Sequence, residues 1–385
     1  MGRIRIAVTG AAGQIGSVLV RRMCEFPNIN TIAICRNPVS AGIIHSASTD
    51  ADIRIGSITE IDTAKKLLGD ADIIIHCALA MISGNPKKSL SLNKTMVDSF
   101  SSLDQLKLIV HVSSLSVYGG CISNSKSTFE KPCPDSDYGR SKLRMENYFK
   151  EKFLRRKINY YILRIGHVYG AKMDRSRQII DLAQNPYFRL PYNGNLPANS
   201  IHIENLASKI IALVLSPTRP GTYNVSEKKT WRQIFDWHTQ ALELTPVKGL
   251  SEQRSEQLKS SYNSATVINE SISWLRTVPI LSLLKYPSIF DNIFRSLYFL
   301  PVSATDRLRT MYKRLEVKHQ ISEIKRQNNM VVSPVYLSEA MPGEYLKLSE
   351  KAEINLPPSE ELINELRNWY FRYANSNWLP NSLYE

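Results

Sequence analysis

The tightest constraint on the fold lies at the start of the chain. A short apolar run, Ile4 to Thr9, passes at once into Thr9-Gly10-Ala11-Ala12-Gly13-Gln14-Ile15-Gly16, with glycines spaced by three and three. Ile15, Val18, Leu19 and Met23 then recur at helical spacing. A strand that turns directly into a helix must reverse within a few residues, and residues without Cβ let it do so. The same bare backbone can approach a pyrophosphate, for which the helix N-terminus supplies free N–H groups and the positive end of its dipole. Such a turn is informative because it follows the first strand and opens an amphipathic helix.

The pattern that follows is of one kind. Further β-rich runs lie at Thr31–Cys35, Ile53–Ile55, Ala71–His76, Leu108–Val112 and Tyr160–Leu163, with helical patterns between them. Short continuous apolar runs separated by helices predict a parallel sheet covered on both faces, an α/β doubly wound fold. Beyond Gly170 the pattern loosens. Residues 171–198, with Pro186, Pro191 and Pro197, read as loops and short helices. Ile201–Leu215 reads as mostly helical, Thr222–Val225 as a short strand, and the chain from Trp231 onward as helices. The expected organisation is a dinucleotide-binding domain over residues 1–170, to which residues 199–228 return. A smaller, mainly helical C-terminal lobe for substrate would comprise 171–198 and 229–385.

Composition narrows the class. With 385 residues, 43% hydrophobic and 22% charged, the chain is neither disordered nor fibrous. No run of about 18 uncharged apolar residues suggests a spanning helix. The five cysteines, Cys24, Cys35, Cys77, Cys121 and Cys133, form no Cys-x-x-Cys pair, and the seven histidines do not cluster. Neither a disulfide framework nor a metal site is expected. The sequence begins directly on a strand, so no signal peptide is expected and the cytoplasm is the default location. A net charge of +14 is compatible with an anionic substrate or surface, and equally with solubility alone.

Two further places carry chemistry. The second strand ends in Cys35-Arg36-Asn37-Pro38, with no carboxylate to bind the adenosine ribose hydroxyls. A basic residue there can pair with a 2′-phosphate, so NADP(H) is favoured over NAD(H), with Arg36 as its contact. The fifth strand runs into Ser113-Ser114-Leu115-Ser116-Val117-Tyr118-Gly119, and active sites of parallel sheets lie at such carboxyl ends. Downstream, Tyr138 and Lys142 are four apart and share a helical face. A nearby ammonium favours a phenolate, which would let Tyr138 work as acid or base near neutral pH.

Together these motifs resemble the extended short-chain dehydrogenases/reductases of the NAD-dependent epimerase/dehydratase family, over roughly residues 3–230. The resemblance also rests on Leu163-Arg164-Ile165-Gly166-His167-Val168-Tyr169-Gly170, Ile201-His202-Ile203-Glu204-Asn205-Leu206-Ala207 and Tyr223-Asn224-Val225. It implies a Rossmann-type sheet with Gly10, Ala12, Gly13, Gln14, Ile15 and Gly16 at the dinucleotide, and Cys77, Ala78 and Leu79 lining it after the fourth strand. It implies Ser114 as the catalytic serine, Tyr138 as the acid/base, and Lys142 as the residue that binds the nicotinamide ribose and depresses the tyrosine. Asn93 matches a supporting helix position. Where family 4,6-dehydratases carry an acidic pair, this chain has Leu115 and Ser116. Where many nucleotide-sugar members carry a diphosphate-binding arginine, it has Ala198.

The expected reaction is hydride transfer at a secondary alcohol or ketone carbon of a small molecule, a sugar or nucleotide-sugar. Return of the hydride to the opposite face gives an epimerase, and release of the ketone or alcohol gives a reductase or dehydrogenase. One alternative is a ketoreductase acting on a lipid-like substrate at a membrane surface, suggested by the apolar Trp274–Pro301 stretch and the basic residues after it. Another is a non-catalytic dinucleotide-binding regulator, which retention of the Tyr/Lys pair disfavours. A homodimer is compatible with the reading; a nucleic-acid partner is not expected. His76 and His111 read as buried strand residues, Tyr118 and Tyr169 as pocket walls, Arg164 as a structural hydrogen-bonder, and Trp231, Trp237, Trp274 and Trp369 as core.

Overall fold

Seven parallel strands form the central sheet in the order β3-β2-β1-β4-β5-β6-β9. They are β1 (Ile4–Thr9), β2 (Ile29–Cys35), β3 (Asp52–Ile55), β4 (Ile73–His76), β5 (Leu108–Ser114), β6 (Asn159–Ile165) and β9 (Gly221–Val225). The computed structural model describes residues 2–256 and 360–371, apart from 49, 81, 83, 84, 120–131, 135, 187 and 228. The order reverses at β1: successive strands run outward through β2 and β3 on one side, and through β4, β5 and β6 on the other. Between β1 and β4 the connecting loops diverge and open a crevice at the carboxyl edge.

Alternate residues of each strand feed opposite faces, which is why these strands read as unbroken apolar runs. Ile6 and Val8 pack with α1 (Gln14–Cys24) and α7 (Ile203–Leu215). Ala7, between them, packs on the other face with α3 (Ile61–Leu68), α4 (Pro86–Ser101) and α5 (Asp137–Arg156). β4 is buried along its whole length. The remaining helix of this part, α2 (Pro38–Ala47), follows β2.

After β6 the chain departs from the sequence reading. β7 (His167–Tyr169) pairs in parallel with β8 (Ser200–His202), His167 against Ser200 and Tyr169 against His202. The helix expected from Ile201 therefore starts at Ile203. Residues 200–202 satisfy their backbone across this ladder, and the Glu227 carboxylate takes the His202 N–H at 3.1 Å. Between β7 and β8 lies α6 (Asp174–Gln184), a full helix in a stretch expected to hold loops and short helices. It packs with α8 (Trp231–Ala241) and α9 (Glu360–Trp369) around a third cluster that includes Phe188, Trp231, Phe235, Trp237, Leu366, Trp369 and Tyr370. Trp231, Trp237 and Trp369 are thus core residues. Trp274, the Trp274–Pro301 stretch and basic residues 302–330 lie outside the described residues. Among the described residues no helix is long and apolar enough to cross a membrane.

Candidate active site

The Gly10–Gly16 turn works through its backbone. Gly10 sits at φ +68°, and a Cβ there would lie 2.8 Å from the Ala78 nitrogen, so the loops after β1 and β4 touch at a point only glycine permits. A Cβ on Gly16 would overlap the Gly10 carbonyl. Gly13 donates to the Gly10 carbonyl at 3.0 Å and is the N-cap of α1. That helix has no side-chain cap and no acidic residue in its first turn. An exposed helix N-terminus without a competing carboxylate, beside a turn of Gly10, Ala12, Gly13, Gln14, Ile15 and Gly16, fits a dinucleotide pyrophosphate.

The opposite wall is Cys77-Ala78-Leu79. Cys77 N–H donates to the Thr9 carbonyl at 3.2 Å. Asn93, buried on α4, holds the same loop: its Oδ1 accepts from Ala80 N at 3.0 Å and its Nδ2 donates to Ala80 O at 2.8 Å. Burial pushes the Cys77 thiol up to about 12, so it is protonated. His76 is driven down to about 3 by burial and, after that, by the Lys142 charge; it shares a 2.8 Å hydrogen bond with Thr9 Oγ1. At the end of β2, Cys35 faces the core and Arg36 is exposed.

Ser114 closes β5 and caps a 3-10 turn, Leu115–Tyr118, with its Oγ accepting from Ser116 N at 3.2 Å. α5 starts against this turn, capped by Ser136, whose Oγ accepts from Gly139 N at 3.1 Å. A Cβ on Gly139 would overlap the Ser116 carbonyl, and that close approach sets Tyr138 beside the Ser114 turn. Lys142, one helical turn on, is buried. Its Nζ donates to the Val112 carbonyl at 3.1 Å and lies 5.8 Å from the Tyr138 ring centre. Ser114, Tyr138 and Lys142 therefore stand together at the carboxyl edge, one strand away from the Cys77 loop.

Their electrostatics differ from the sequence expectation. At Tyr138 the net direction is upward, not downward. Loss of water around the phenol pushes it above its usual value, and the nearby Ser114 hydroxyl only partly opposes this. Lys142 is itself lowered to about 8, because burial disfavours its charge more than Cys77 and Glu146 support it. His111 stacks 5.3 Å from His76 and is held neutral mainly by burial.

Behind these groups lies a layer that sequence reading largely missed. Glu146 is wholly buried and pairs with Arg164 at 2.7 Å. It also accepts from Ser113 Oγ at 2.6 Å. Arg164 donates to the Tyr118 hydroxyl at 2.8 Å, so it is a structural hydrogen-bonder as expected. The one available signal for Glu146 was its position four residues after Lys142, on the same helical face. Gly139 could have been suspected only from its place between Tyr138 and the serine turn.

The profile of the NAD dependent epimerase/dehydratase family matches residues 6–225. The chain belongs to that family. Among curated proteins it is similar to one from Haloferax volcanii named "Probable low-salt glycan biosynthesis reductase Agl14", 28% identical over 179 residues, 44% of this chain and 55% of that protein. The chain thus spans about half the length of that relative. Among solved structures, a UDP-glucuronic acid 4-epimerase from Bacillus cereus in complex with NAD superposes with TM-score 0.52 at 21% identity, over 65% of this chain and 88% of that one. A UDP-N-acetylglucosamine 4-epimerase from Methanobrevibacter ruminantium gives TM-score 0.51 at 23% identity, over 66% and 86%. At this identity the two structures establish a shared fold.

Proposed function

We propose that this chain is an NAD(P)-dependent oxidoreductase or epimerase that moves a hydride at a secondary alcohol or ketone carbon of a sugar or nucleotide-sugar. The observation that carries the reading is the packing of the start of α5, with Tyr138, against the Ser114 turn, the Lys142 ammonium 5.8 Å from the Tyr138 ring centre, at the edge that also holds an uncapped helix N-terminus. When bound, the nicotinamide gives or takes the hydride. Ser114 holds the substrate oxygen, and Tyr138 gives or takes its proton. A raised phenol is a proton donor in its resting state, which suits reduction of a ketone. Lys142 holds a ribose hydroxyl of the cofactor and faces the Tyr138 ring.

Several features refine the reading. Leu115 and Ser116 offer no acidic pair, which argues against water elimination. Ala198 is wholly buried where a diphosphate arginine would stand, so other groups would hold a nucleotide. The Haloferax volcanii relative supports a glycan context. Arg36, exposed next to a core-facing Cys35, supports NADP(H) over NAD(H). A Rossmann domain of 1–170 and 199–228 is paired with a substrate lobe whose described parts are 171–198, 229–256 and 360–371, a division supported by the separate third cluster. The four described cysteines are free thiols, in keeping with a cytoplasmic enzyme.

The test is a panel of nucleotide-sugars with NADPH and NADH, followed by nicotinamide absorbance and product isomer. Tyr138→Phe is expected to lose about two to four orders of magnitude in rate while cofactor titration is unchanged. Wild-type turnover in that variant defeats the assignment.

A further inference from the structure

We infer that Glu146 is the positioning residue of this site: a single buried carboxylate couples the Ser114 turn to the helix face that carries Tyr138 and Lys142. The inference rests on the reading of Ser114, Tyr138 and Lys142 as the reacting groups.

The geometry closes around one side chain. Glu146 lies four residues beyond Lys142 and eight beyond Tyr138, on the same face of α5. Its side chain is 0% exposed. Ser113 Oγ donates to it at 2.6 Å, Arg164 Nε at 3.1 Å and Arg164 Nη2 at 2.7 Å. Ser113 immediately precedes Ser114. The third guanidinium nitrogen, Nη1, donates to Tyr118 at 2.8 Å, and Tyr118 donates to Asn224 Oδ1 on β9 at 3.0 Å. The guanidinium also lies 4.9 Å from the Tyr118 ring centre. Tyr118 closes the turn that Ser114 opens. Both ends of that turn are therefore tied to Glu146, one through the adjoining Ser113 and one through Arg164.

A buried ion pair is a weak means of stabilising a fold, since apolar side chains of the same volume often serve as well or better. What it adds is fixed orientation, through a planar fork bonded to a carboxylate. It also supplies a charge. Lys142 is faced by His76 and Cys77 at the end of β4, His111 on β5, and Tyr138 and Glu146 on α5, with Arg164 of β6 behind Glu146. Both histidines and the phenol are neutral near pH 7; Cys77 and Glu146 are the groups in this set that support a charged Lys142, and of the two Glu146 is the carboxylate paired with Arg164.

The experiment is a titration of the full chain with NADPH and NADH from neutral to alkaline pH, with amide exchange over residues 115–119. In the wild type, affinity is expected to fall through a midpoint near about 8. Glu146→Gln is expected to move that midpoint down by about half to one pH unit, and the unneutralised Arg164 acts in the same direction. It should also speed exchange in the turn. Tyr118→Phe cuts one tie and leaves the charge, so exchange should quicken with the midpoint unmoved. Glu146→Asp, the milder change, should give a smaller shift in the same direction and stands in if Glu146→Gln does not fold. An unmoved midpoint in both Glu146 variants overturns the inference, whatever their stability. Lys142→Met separates the two readings: if it binds cofactor like the wild type, the assignment of Lys142 fails and the coupling fails with it.

Discussion

Around Gly10–Gly13 the groups on offer are backbone N–H groups, and side chains are small or absent. Around Ser114, Tyr138 and Lys142 they are side chains, held from behind by buried charge. The first region is specified by what must not be there, since a Cβ at Gly10 or Gly16 would strike neighbouring backbone. The second is specified by partners brought from three strands and a helix, Ser113, Glu146, Arg164 and Asn224. A ligand that is rigid and shared, such as a pyrophosphate, can be met by main chain. An acid that must sit at one particular place has to be held by side chains, and the buried polar groups of the second region hold theirs in that way.

The comparison breaks hardest at Arg164. Arg164→Met leaves the Glu146 carboxylate buried without its cation and is expected to cost about 3–5 kcal/mol in denaturant unfolding. Adding Glu146→Leu should recover much of that loss. If the single change costs under 1 kcal/mol, roughly the worth of an exposed pair, the buried layer is not what holds this side.

Lys142 sharpens the contrast through pH. Its folded value, about 8, lies below the ordinary 10.5, so between these the unfolded chain binds more protons. Its contribution to stability therefore rises with pH through that window and is unfavourable below it. Cofactor affinity should move oppositely, falling as the ammonium is lost. The stability deficit of wild type against Lys142→Met should shrink as pH rises from 8 to 10.5; a constant difference would show that Lys142 titrates normally.

On the cofactor side, Arg36→Ala should leave stability unchanged and weaken NADPH by about ten- to a hundredfold, with NADH little affected. Equal affinities in the wild type would remove the preference for NADP(H). The smallest effect belongs to Ser136, the cap that starts α5 beside the serine turn. Ser136→Ala is expected to lower stability by about 1 kcal/mol, read as a small drop in melting temperature.

Legibility in the sequence followed the same divide. The Gly-rich turn, the strand-end serines and the Tyr/Lys spacing are local patterns, and they appear in the structure as one edge. The parallel sheet follows from short apolar runs alternating with helices, whereas its strand order came only with the structure. What sequence did not yield was contact at long separation. Glu146 meets Ser113 across 33 positions, and β7 meets β8 across an excursion no local period announces. The direction of Tyr138 was misjudged for a related reason. Spacing shows that a lysine is near, but not how much water the surrounding protein removes from both groups.

The β7–β8 ladder has a consequence for how chains of this kind diverge. Val168 lies against Ile201, so the excursion between the two strands leaves and rejoins the framework at one seam. Doubling the length of such a closed detour costs only about 0.6 kcal/mol in chain entropy. The seam thus acts as a socket: descendants of this sequence can exchange the detour for one of another length or shape while the sheet is inherited intact.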